Sequence, residues 1–419
     1  MNLKKDWILH TNVYEVNLRQ YTPEGTFAAF ATHLPRLKDM GVETLWFMPV
    51  TPISQKNKKG SMGSYYACSD YTTINPEFGS LQDFKKLVSQ AQSMNFRVII
   101  DWVANHTGWD HVWTEQHPEW YKKDENTGEF KKASGMDDII ELDFSNKEMR
   151  LAMIEAMKFW VRETGIDGFR CDLAFWVELG FWVEAKTALD SLKDLFWLAE
   201  ADPIDHPDYM TVFDAAYTWM WMHRTEEFYK KNLPLQELLS VLDRYQQLSG
   251  IKLWFTANHD ENSWNGTEYE KYGEAAALLA VFSCTWQGVP LVYSGQELPN
   301  HKRLQFFEKD VIEWRNDHDL HGFYKTLLQL HSTYAALRAD SKLFRIHTSG
   351  DEKVLTYLRK KDDQEVLVML NFSAEPVRIE LFDQRLGGTF KNLFKNEEVN
   401  VNEQRRFELA GWGYLIYVK

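Results

Sequence analysis

A chain of 419 residues exceeds an ordinary single domain and is long enough for an α/β barrel of ~250 residues with smaller appendages. Hydrophobic residues at 44% and charged residues at 26%, with no low-complexity tract, exclude a disordered or fibrous chain. A formal charge of −14 excludes a polyanion as main partner, because nucleic-acid affinity comes largely from Lys and Arg at phosphates. The opening MNLKKDWILHTNVYEVNL has no apolar run long enough for a signal-peptide core, so as written the chain is expected to be cytoplasmic; if a leader has been removed it is periplasmic or secreted. From about residue 10 to 338, short apolar runs alternate with helical periodicity, the pattern of parallel strands and crossover helices. The strands are expected at 12–16, 42–50, 97–103, 166–174, 195–201, 211–217, 253–258 and 290–295. Eight such units make a (β/α)₈ TIM barrel.

Helix starts are also readable. Ser80 with Asp83 opens one helix, and Ser145 with Glu148 forms an S-x-x-E capping box for another, whose Met149, Met153, Ala156, Met157 and Trp160 recur at helical spacing. Residues 105–145 are polar, Trp-rich and turn-forming, too long an excursion for an ordinary βα loop, and are expected to form a short inserted domain after the third strand. Within it, DENTGE (124–129) resembles a fragment of a calcium loop but is expected to be a surface turn. Ala275 to Trp286 reads as a buried helix leading to a strand, too short to span a membrane. After about 343 alternating runs and turns predict a C-terminal antiparallel β-sandwich. The domains are therefore expected at 1–104 and 146–340 (barrel), 105–145 (insertion) and 341–419 (sandwich). Cys68, Cys171 and Cys284 lie among apolar residues and are expected as buried free thiols. The 17 Trp, 18 Tyr and 26 Phe suit either large packed cores or sugar stacking.

In (β/α)₈ proteins the catalytic residues come from the C-terminal ends of the strands. Here the third strand ends in Asp101, Asn105 and His106, the fourth in Arg170 and Asp172, the fifth in Glu200, and the seventh in His259 and Asp260. Any one of these could cap a helix or sit hydrogen-bonded in a core; repeated at four strand ends, they point to a reaction site. His and Asp could gather a catalytic metal, or two carboxylates could act as nucleophile and acid/base on a glycosidic bond. Arg170, two residues before Asp172 and on the same strand face, opposes a dication there. It is expected to hold Asp172 ionised, whereas the apolar FWLA before Glu200 should favour that carboxyl's neutral form.

These segments resemble the alpha-amylase family of glycoside hydrolases. GVETLWFMP (41–49), GSYYACSDYTTINPEFGS (63–80), DWVANHTG (101–108), GFRCDLA (168–174), FWLAEAD (196–202), FTANHDEN (255–262) and GVPLVYSGQE (288–297) are similar to the family's motifs, in order. The resemblance implies a retaining hydrolase of α-1,4-glucosidic bonds in starch, glycogen or maltooligosaccharides. Asp172 would be the nucleophile, Glu200 the acid/base and Asp260 the third carboxylate. Arg170 would orient Asp172; Tyr66, Asp101, His106 and His259 would line the subsite of the sugar being cleaved. The chemistry requires no cofactor, and an α-glucan is the expected partner, with neither nucleic acid nor membrane. Where many relatives keep a Lys-His pair this chain has Phe175 and Trp176; Trp176 and Trp182 could stack on acceptor sugars or pack the loop. A structural calcium would rest on Asn105, with Asp137 or Asp138 assisting. Other readings are an α-glucosidase, debranching enzyme or transglycosylase of the same fold, a non-catalytic carbohydrate-binding member, and the metal-dependent hydrolase.

Overall fold

The computed structural model describes residues 3–314, 319–395 and 397–419. Eight parallel strands close a barrel: β1 Val13–Val16, β2 Thr44–Phe47, β3 Arg97–Trp102, β4 Gly168–Cys171, β5 Phe196–Ala199, β6 Ala215–Tyr217, β7 Ile251–Trp254 and β8 Val289–Tyr293. Each strand pairs with its sequence neighbours, and β8 pairs with β1. All eight expected strands are present. The sixth is shorter than expected, because Pro207–Thr211 forms a tight helical turn ahead of it.

Strand alternation divides the core in two. Trp46, Ile99, Phe196, Leu198, Leu253 and Leu291 fill the barrel interior, while Phe169, Cys171, Trp197 and Ala199 face the helix layer. In β4 the period puts Gly168 and Arg170 inward, and Gly168 has to be glycine: a Cβ there would stand 2.1 Å from the Phe196 carbonyl oxygen. Helix Leu81–Ser93 carries the expected Ser80/Asp83 capping box and buries Phe84, Leu87, Val88 and Ala91.

The helix Lys147–Thr164 starts differently from expectation. Its cap is Asn146, whose Oδ1 accepts from the Glu148 and Met149 amides at 3.0 and 3.1 Å, while Ser145 Oγ donates to Asp143. Asn146→Ala is therefore expected to cost about 1 kcal/mol of stability. Ser145→Ala should stay within about 0.5 kcal/mol. Urea unfolding of both variants checks this.

Between β3 and β4, His106–Gly108 and Ile139–Glu141 pair as a two-stranded ribbon. The Asp124 carboxylate accepts the Asn126 and Thr127 amides and makes DENTGE a surface turn. Residues 342–418 form a six-stranded antiparallel sheet with a two-stranded sheet (Val377–Glu380, Arg406–Leu409) against it. Leu367, Met369, Phe390, Ile379 and Phe407 share the core between them. The larger sheet docks on the barrel through Tyr357 and Arg359, which bond Thr285. The buried apolar stretch is the helix Ala276–Thr285, leading to β8 as expected. Among the described residues no helix is long and apolar enough to cross a membrane, and all three cysteines are buried and free.

Candidate active site

On β3, β4 and β5 the inward row is apolar until the C-terminal end, where it turns charged. Ile99 is followed by Asp101, Gly168 by Arg170 and Asp172, and Leu198 by Glu200. Neighbouring strands hold these groups in register, with Asp101 opposite Arg170 and Arg170 opposite Leu198. The result is one fully buried guanidinium among three carboxylates. Arg170 Nη1 lies 3.0 Å from Asp101 Oδ1 and 2.9 Å from Asp172 Oδ1. Nη2 lies 2.9 Å from Glu200 Oε2, at ion-pair distance but off the hydrogen-bond direction. Nε donates to the Tyr217 hydroxyl at 3.3 Å.

A second chain of contacts starts at Tyr66. Its hydroxyl donates to Asp101 Oδ2 at 3.0 Å and lies 2.7 Å from His259 Nε2. Its ring stacks on the His259 imidazole at 5.4 Å. His259 Nδ1 in turn sits 2.5 Å from Glu15 Oε1, a fully buried carboxyl on β1. Asp260 Oδ2 is 3.3 Å from His259 Nε2.

These groups form two layers. Tyr66, His106, Asp172, Glu200 and Asp260 surface a cavity of about 340 Å³, together with Lys59, Ser64, Met136, Asp138, Ile139, Leu173, Trp264, Phe306 and Phe307. Asp101, Arg170 and His259 lie behind it, almost wholly covered. The sequence reading had Arg170 orient Asp172, which it contacts, and had Asp101 and His259 line the subsite; these two meet the Tyr66 hydroxyl behind the cavity wall. Trp176 is half-buried on the turn Ala174–Trp176 and is not part of the cavity wall. Trp182 is fully buried with its indole N–H on the Ala174 carbonyl, so it packs the loop rather than offering a face to sugar. A separate cavity of about 390 Å³ lies at the opposite end of the barrel, around Gly250, Lys252 and Gly288. None of the strand-end carboxylates faces it.

Burial dominates the electrostatics. Burial pushes Glu200 up to about 7 against the attraction of Arg170, as the apolar run before it led one to expect. Asp172 departs from expectation: burial outweighs Arg170, with Asp101 and Asp260 adding repulsion, and its carboxyl rises to about 6 instead of being held low. One guanidinium shared among three acids gives each only part of its charge. Asp101 likewise rises to about 6 through burial. His259 goes up to about 9 because Asp260 and Glu15 outweigh its burial, whereas buried His106 falls to about 4 and stays neutral. The His106 ring borders the cavity, with its Nε2 buried.

Several residues of the site escaped the sequence reading: Lys59, Leu173, Trp264, Phe306 and Phe307 on the cavity wall, and Glu15 behind it. Leu173 follows Asp172 in the left-handed region (φ +38°), a costly place for a branched side chain. That turn aims its amide at Glu200 Oε2, 2.8 Å away. Glu15 was hidden as a single acid within the four-residue β1; only its inward parity marked it.

Asn105, the expected calcium ligand, has its Nδ2 3.3 Å from His106 Nδ1. Asp138 pairs with Lys59 at 2.8 Å and Asp137 with Lys132 at 2.5 Å, so ammonium groups hold the assisting carboxylates. Among the described residues no cluster of three or more His, Cys, Asp or Glu converges as a metal would require.

The chain matches the family model for the alpha amylase catalytic domain over residues 9–124 and 109–188, and that for the maltogenic amylase C-terminal domain over 344–416. It is similar to the crystal structure of a noncanonic maltogenic alpha-amylase from Thermotoga neapolitana, at 30% identity, a TM-score of 0.89, and coverage of 98% of this chain and 99% of that one. Alpha-amylase 2 of Dictyoglomus thermophilum is 24% identical over 91% of this chain and 69% of its own length. Alpha-amylase MalA of Haloarcula japonica is 26% identical over 90% of this chain, which spans only 57% of that relative.

Proposed function

The chain belongs to the alpha-amylase family of glycoside hydrolases, and from that premise we propose that it hydrolyses α-1,4-glucosidic bonds of starch-like glucans or maltooligosaccharides with retention of configuration. One observation carries the reading. Asp172 and Glu200 meet the same buried guanidinium at the floor of a cavity walled by Tyr66 and His106. Sharing one cation favours the close carboxyl spacing of a retaining site, about 5–5.5 Å, over the roughly 6.5–9.5 Å of inversion.

Asp172, ionised, attacks the anomeric carbon while Glu200, protonated, gives its proton to the departing oxygen. The bond to the leaving sugar breaks as the Asp172 ester forms. Water then attacks the same carbon, Glu200 takes its proton, and Asp172 is released. Asp260 and His106 supply hydrogen bonds to sugar hydroxyls, and these strengthen as the ring flattens. Tyr66 is held upright by Asp101 and His259 as a stacking surface. No step needs a metal.

The test is proton NMR of maltoheptaose hydrolysis during the first minutes, with EDTA present. The newly formed reducing ends are expected to appear as the α-anomer, at the rate seen without chelator. The β-anomer first would contradict the proposal.

A further inference from the structure

Residues 55–63, between β2 and the helix Leu81–Ser93, form a strap fastened at both ends. At one end the Gln55 and Lys56 amides donate to Asp110 Oδ2 at 2.8 and 3.0 Å, and the Lys56 ammonium lies over the Trp109 ring. These anchors belong to the excursion after β3. At the other end the Met62 amide donates to the Phe307 carbonyl at 2.9 Å and the Ser61 amide to Glu308 Oε1 at 3.0 Å, anchors that follow β8. Gly60 lies between them at φ +61°; a Cβ there would fall 2.5 Å from Phe307 Cβ, so the approach is open to glycine only.

Lys59 stands at the junction. Its ammonium is 2.8 Å from Asp138 Oδ1, at ion-pair distance but off the hydrogen-bond direction, and 5.9 Å from the centre of the Phe307 ring. Lys59, Asp138 and Phe307 all face the catalytic cavity, so segments following β2, β3 and β8 meet there as one wall. Asp138 is almost fully buried, and the ammonium supplies its counter-charge, which gives the junction a reason to stay closed.

The wall's position around the barrel decides its role. In the closed order, β2 and β8 flank β1, and β1 is diametrically opposite β5, which carries Glu200. The acid must stand by the leaving-group oxygen, so the departing part of a glucan extends toward β5, and the part beyond the bonded sugar extends the other way. That direction runs into the strap. We propose that residues 55–63, latched by Lys59 to Asp138, close the donor end of the cleft, so that the enzyme takes glucans by their non-reducing ends and releases a short product of fixed length. This rests on the hydrolase reading above.

Two maltoheptaosides with the same reducing-end fluorophore test it, one with a free non-reducing end and one with that end capped by a 4,6-acetal. The wild-type chain is expected to cleave the capped substrate at least tenfold more slowly. Lys59→Ala and Asp138→Asn should each raise the capped-to-free ratio fivefold or more, and Lys59→Arg should keep it near wild type. Equal cleavage of both substrates by the wild type, or a ratio that neither opening variant moves, overturns the latch while leaving the hydrolase reading in place. Cleavage of neither substrate overturns that reading and the latch with it.

Discussion

Asp172→Asn is expected to lower kcat on maltooligosaccharides by roughly ten-thousand-fold or more while leaving the fold intact. The amide cannot form the covalent intermediate, and a group that acts on the reacting carbon itself is lost from every turnover. Stability should move the other way. The folded-state pKa of Asp172, about 6, lies above the ordinary carboxylate value, so the folded protein binds this proton more tightly than the unfolded chain does. The associated stability is fully present below about pH 4 and is lost as pH rises through 6, which leaves the ionised side chain a burden at neutral pH. An uncharged Asn removes that burden, and Arg170 keeps Asp101 and Glu200 as partners. Thermal unfolding at pH 7 should show a Tm equal to or above the wild type's. A variant that loses both activity and several degrees of Tm would mean that Asp172 holds the barrel together instead of reacting.

Glu200→Gln is expected to cost about 10²–10⁴-fold on glucans, whose leaving oxygen needs the proton, and far less in the first step with α-glucosyl fluoride, whose leaving group does not. The pH profile separates the two carboxyls. Wild-type kcat/KM should fall as pH drops through about 6, where Asp172 takes up a proton, and fall again as pH rises through about 7, where Glu200 loses one. Because both sit on Arg170, the two limbs belong to the pair and leave a narrow optimum. Glu200→Gln should abolish the alkaline limb and keep the acid one. An alkaline limb that survives the substitution would assign the acid to another residue.

The barrel was legible because the strands are short, largely apolar runs spaced by helical periodicity, and most of the strand-end acids stood out where those runs stop. What the sequence could not convey was mostly competition. Ser145 and Asn146 are both good caps one residue apart, and only the turn at Asp143 decides between them. Arg170 is visible beside Asp172, but not that Asp101 and Glu200 share it, nor that burial outweighs it. Trp182 and Trp264 look alike in sequence, yet one is fully buried and the other is half exposed at the cavity. Lys59 sits in QKNKKG, which reads as a solvated run. Its partners at 138 and 307 come from connections far along the chain, and only barrel closure brings them together.

The most direct measurement uses the Glu200→Gln protein, exposed briefly to α-glucosyl fluoride, digested, and mapped by mass spectrometry. Formation of the ester needs no acid with this donor, but its hydrolysis lacks the base, so the intermediate should accumulate. The expected result is one glucosyl unit on the peptide containing Asp172 and on no other. A glucosyl unit on Asp260 or Asp101, or an unmodified protein that still turns over the fluoride, would contradict the assignment of Asp172 as nucleophile.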